Sequence, residues 1–166
     1  MNEAVPVLDT PLAAPMTVNI VGGKIDPALM DGETREMWMD RLKDALGTVS
    51  DDLANYALVT MFRASKHPDV LKLNAMLEQV RAGCPRDPQE LMLLVQMAAV
   101  AQRMLESIME NAAIMHEDKL LQSKITAQYA TIYARQLEAL RKYRRDGNQE
   151  ITVLHVDHAN AVAVKA

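Results

Sequence analysis

Over most of this chain the apolar positions recur at helical spacing, and a few clear stops divide them into segments. Met37, Trp38, Arg41, Leu42 and Ala45 follow steps of three and four between a capping Thr34 and a terminating Gly47, which predicts a first helix over about 34–46. Ser50 restarts the pattern, with Asp51 and Asp52 complementing the positive end of the helix dipole. Leu53, Tyr56, Ala57, Thr60 and Met61 then predict the inner face of a second helix that Pro68 ends. Val70, Leu71, Leu73, Leu77 and Val80 continue as a third, shorter helix up to Gly83.

The order Asp87-Pro88-Gln89-Glu90 places a capping Asp, a first-turn Pro and a Glu three residues after the cap, as a helix start requires. No Gly or Pro intervenes from Glu90 to about Met115, and Leu91 to Ala101 is apolar around almost the whole circumference apart from Gln96. This predicts a central helix buried on several sides. Beyond His116-Glu117-Asp118 a second uninterrupted segment runs from about Lys119 to Arg145, with Leu121, Ile125, Tyr129, Ile132, Leu137 and Leu140 on one side. Two long helices in sequence predict an antiparallel hairpin over 88–146.

The two ends follow other patterns. Pro6, Pro11, Pro15 and Pro27 with Gly22-Gly23 exclude a helix over residues 1–32, leaving an extended arm in which Thr17 to Val21 forms a short strand. A loosely ordered tail is the expectation for this arm, with docking on a neighbouring subunit as the alternative. After Gly147, Ile151, Thr152, Val153, Leu154, His155 and Val156 favour a strand, and a lone strand must pair with the arm or with its counterparts in other subunits. Ile151, Val153, Leu154, His155 and Val156 are therefore the candidate oligomerisation residues. The fold expectation is mainly α: an arm over 1–32, a helical bundle over 33–146 with its long hairpin, and a short C-terminal strand and tail over 147–166.

At 166 residues the chain has the length of one domain, and 49% hydrophobic with 24% charged residues excludes wholesale disorder. Twelve Met against few aromatics makes for an adaptable core. A formal charge of -4 argues against nucleic-acid binding by the whole surface but leaves room for a local patch. Cys84 alone excludes an intramolecular disulfide and fits a reducing cytoplasm. No basic leader and no stretch near 20 apolar residues is seen, so no membrane partner is expected.

Phosphate-loop, dinucleotide, nucleophile-elbow and zinc-protease motifs are all missing from the sequence, so no enzyme activity and no cofactor are expected. His155-Val156-Asp157-His158 lacks a second cluster to complete a metal site, and His67 and His116 stand alone near helix ends. Residues 37–62 have the outline of helix-turn-helix, but Asp51 and Asp52 would face phosphates. The candidate nucleic-acid contacts are Arg135, Arg141, Lys142, Arg144 and Arg145, with Tyr133 and Tyr143 interleaved. The same charges also suit a helix C-terminus, and a ring would repeat them into a girdle.

Three stretches carry a resemblance: Asp87 to Met92 with Gln96 to Val100, Gln136 to Arg144, and Gln149 to Val156. They resemble a group of helical proteins encoded by proteobacterial phages and prophages, over about half the chain. Those relatives follow the strand with a Gly-Gly-Gln-Ala-type turn, where this chain has Asp157-His158-Ala159-Asn160. The resemblance implies a phage setting in the cytoplasm of a bacterial host. A helical hairpin followed by a strand is similar in architecture to phage small terminase subunits. The expected function is a non-enzymatic homo-oligomer for DNA packaging or DNA binding; the alternative is an adaptor or regulator that holds a phage or host protein through Met-rich helices.

Overall fold

The computed structural model describes residues 16–113 and 119–146. It contains a two-stranded antiparallel sheet, β1 (Val18–Val21) and β2 (Lys24–Pro27), followed by five helices: α1 (Arg35–Ala45), α2 (Asp51–Ala64), α3 (Val70–Ala82), α4 (Pro88–Ala113) and α5 (Lys119–Asp146). The chain is mainly α. Each of the first three helices starts on a side-chain cap, Thr34, Ser50 or Asp69 accepting from a backbone N–H three residues on.

The expected loose tail is, from Met16 onward, a β-hairpin packed on the chain's own core. Gly22 and Gly23 both have positive φ, the two-residue turn whose twist matches paired strands, and Val21 pairs with Lys24 across it. Met16 and Val18 are buried. The Asn74 side chain both accepts from the Val18 N–H at 2.9 Å and donates to its carbonyl at 3.2 Å, while the Trp38 indole N–H donates to the Thr17 carbonyl at 3.3 Å. These bonds close the outer edge of β1, so it offers no free edge there to the strand expected over 151–156. That strand and its residues Ile151, Val153, Leu154, His155 and Val156 lie outside the described residues, as do His116 and residues 1–15.

The core joins Trp38 and Leu42 of α1, Ala54, Ala57, Leu58 and Met61 of α2, Leu73, Met76, Leu77 and Val80 of α3, and Leu91, Leu94, Val95, Met97 and Ala98 of α4. Helical spacing placed most of these correctly but rotated some faces: Met37, Tyr56 and Leu71 point to solvent. Helix α5 runs back along α4, bringing Ser107 to Thr126 near one end and Glu90 to Arg144 near the other. Leu140 joins the core, with Tyr133 and Leu137 packed against it. By length and composition residues 88–110 of α4 are apolar enough to cross a membrane, against the expectation that no stretch comes close. Here that span packs on α2, α3 and α5 and carries buried Glu90, Gln102 and Glu106.

Gly83 ends α3 as expected, as a right-handed cap, and the positive φ falls on Cys84 after it. A Cβ on Gly83 would press into the Leu94 methyls, so this glycine also serves close helix approach.

Candidate functional site

The basic cluster at the end of α5 is divided by the helix. Tyr133, Leu137, Leu140 and Arg144 recur at steps of four, three and four, so Arg144 continues the inward stripe. Its guanidinium ion-pairs with the Glu90 carboxylate and donates to the Gly83 carbonyl. Glu90 is buried and also accepts from the backbone and side chain of Arg86, each at 3.1 Å. Burial alone would raise the Glu90 carboxyl, but the bonds from Arg144 and Arg86 outweigh it and hold the group below the usual carboxylate range. Next to it Asp87 accepts from the backbone N–H groups of Gln89 and Glu90, both at 2.9 Å, and from the Tyr143 hydroxyl at 3.0 Å. Arg144 and Tyr143 are thereby committed to fastening α5 to the start of α4.

Arg135 and Lys142, seven residues apart, share the outward face with exposed Lys124. Arg141 and Arg145, four residues apart, lie together on one side of that face. Lys124, Arg135, Arg141 and Lys142 form no ion pair with a described residue. Of the five candidate nucleic-acid residues, four are thus exposed along α5 and one is turned inward.

At the other end of the hairpin the α4–α5 contact is polar. The Ser107 and Thr126 hydroxyls meet at 2.7 Å, and the Gln122 amide donates to the Ser107 hydroxyl at 2.9 Å. Glu106 accepts from the Lys66 backbone N–H at 3.1 Å, Gln102 at 3.1 Å and Lys72 at 3.2 Å, tying α4 to the α2–α3 turn. Burial would raise this carboxyl, but those donors hold it low. Outside, large apolar side chains face solvent: Leu105 is 53% exposed, Ile108 48%, Met109 71%, Leu120 67% and Leu121 61%. Of the methionines, Met16, Met61, Met76 and Met97 are in the core, while Met30, Met37 and Met109 are exposed.

A second feature lies between β2, α1 and α2, a cleft of about 350 Å³. Ile25, Trp38, Met39, Leu58, Val59 and Phe62 line it, and Lys24, Arg35 and Arg63 stand around them. The loop leading into α1 is fixed by a two-pronged pair in which Arg41 donates to Glu33 at 2.9 and 2.8 Å. That pair positions Arg35 at the start of α1 and holds the Glu33 carboxyl low. No protein-family model, curated protein or solved structure matches this chain. Among the described residues no group of three or more His, Cys, Asp and Glu is placed to hold a metal ion.

Proposed function

We propose that this chain is a non-enzymatic assembly protein that self-associates through the far end of the α4–α5 hairpin and presents the outer face of α5 to nucleic acid. The exposed apolar side chains at that end carry the reading. Leu105, Ile108 and Met109 follow one another at helical spacing on α4, and Leu120 and Leu121 stand exposed at the start of α5. Such a surface costs solubility when left in water and is covered when a second hairpin packs on it as a four-helix bundle. A second copy is the fitting occupant, because two such apolar surfaces can cover one another across a two-fold axis.

Self-association would repeat Lys124, Arg135, Arg141 and Lys142 once per subunit, turning a modest cluster into a surface able to neutralise several phosphates. In a bacterial cytoplasm and the phage setting implied by the resemblance, this is the role of a DNA-packaging or DNA-binding assembly factor. Light scattering on the full chain and on a chain ending at residue 147 tests the route of assembly. The reading expects the same multimer from both; collapse on truncation would move the contact to the strand expected at 151–156, and single chains in both would remove it. Anisotropy of a labelled short DNA duplex at low salt tests the basic face: Arg135→Glu with Lys142→Glu should weaken binding at least about tenfold. An unchanged affinity would detach DNA from α5.

A further inference from the structure

We infer that the cleft between β2, α1 and α2 takes an extended segment of a partner protein, with acidic residues flanking an apolar one. This does not depend on self-association, since none of the residues lining the cleft belongs to α4 or α5.

The first observation is charge. Lys24, Arg35 and Arg63 make no ion pair with any described residue, although Arg41, Lys43, Lys66, Lys72, Arg81 and Arg86 are all paired. Three unpaired cations around one opening, in a chain of net charge -4, form a local field that attracts carboxylates.

The second observation is the edge of β2. In a two-residue hairpin the closing pair Val21–Lys24 exchanges hydrogen bonds, and pairs alternate from there. Val18 and Ile25 therefore direct their backbone groups outward, as the Asn74 bonds to both polar groups of Val18 attest. The Ile25 N–H and carbonyl have no partner among the described residues. Gly23, Lys24, Ile25 and Pro27 line the cleft while β1 contributes nothing to it, so this free edge forms one wall. An added strand can pair there through its backbone.

The floor supplies the third element. Trp38, Leu58 and Phe62 can receive one apolar side chain, while its neighbours along the strand turn toward Lys24, Arg35 and Arg63. A nucleic acid would satisfy the cations but neither the strand edge nor the apolar floor, so a peptide is the better fit.

The test is selection of a displayed library of random heptapeptides on the full chain. The expected result is enrichment of Asp or Glu on both sides of an aliphatic or aromatic residue. A synthetic peptide with the enriched sequence should then perturb the fluorescence of Trp38, the one tryptophan in the chain. Arg35→Glu with Arg63→Glu should weaken that binding at least about tenfold, and Lys24→Glu, at the exposed start of β2, should weaken it without touching a helix. Methylating the peptide's amide nitrogens should abolish it. No enrichment, enrichment of basic or purely apolar peptides, or binding indifferent to both charge reversals would overturn the proposal. Preferential binding of a synthetic peptide of residues 1–15 would overturn it too, by giving the cleft to another copy of this chain.

Discussion

The near half of the molecule and the far end of its long hairpin are built in opposite senses. Near the β-hairpin, Leu42, Leu77, Leu91 and Val95 are inside, and the one acid among them, Glu90, is satisfied by two arginines. At the far end Ser107, Glu106 and Gln102 are inside while Leu105, Ile108, Met109, Leu120 and Leu121 are outside. Folding of a single chain accounts for the first half, because apolar burial favours it and the two arginines offset the cost of burying Glu90. It does not account for the second, whose apolar stripe is buried only if another surface covers it. On the proposed reading the contact between copies lies at the far end, and the near half holds each copy together.

The largest effect should come from emptying the near core. Leu91→Ala should cost about 3 to 5 kcal/mol in denaturant unfolding, from lost burial and the cavity left behind. Glu90→Gln should cost about 2 to 3 kcal/mol, because it removes the charge that Arg144 and Arg86 share and turns one of the two accepting oxygens into a donor facing a guanidinium. It should also change the acid limb. The folded Glu90 carboxyl lies below its ordinary value, so its stabilisation is present above that value and is lost as pH falls through the folded one. Unfolding midpoints measured from pH 6 downward should fall less steeply for Glu90→Gln than for the natural chain.

Polar groups in the far half should prove less costly to remove together. Ser107→Ala, Gln122→Leu and Thr126→Val combined should leave stability within about 1 kcal/mol of the natural chain, because Thr126 and Gln122 are only partly buried and Ser107→Ala alone takes just one of several bonds from each. A large loss from the triple change would erase the distinction between the halves. The smallest effect should be a gain: Cys84→Gly relieves a left-handed non-glycine residue and should add a few tenths of a kcal/mol up to about 1.

Much of this fold is legible in the sequence where local chemistry acts alone. Ser50 and Asp87 mark their helix starts because a cap is decided within four residues. The β-hairpin was half legible: Gly22-Gly23 stops a helix, but its position between Val18-Asn19-Ile20-Val21 and Lys24-Ile25-Asp26 is also the signature of a two-residue turn. Arg144 was hidden among exposed cations, although its spacing from Leu137 and Leu140 places it on the inward stripe. Glu90 read as a capping residue, while its burial depends on α5 returning to meet it, a contact 54 residues away in sequence. The cleft was not legible at all, since Lys24, Arg35 and Arg63 belong to three elements that come together only in the tertiary fold.

The most direct test of the inside-out far end is the solution mass of the full chain beside Leu105→Glu with Leu121→Glu, read by light scattering over a range of concentrations. The account predicts a multimer for the natural chain and single chains for the variant, with helical circular dichroism unchanged in both. A natural chain that stays single at every concentration, or a variant that assembles as well as the natural chain, would contradict it.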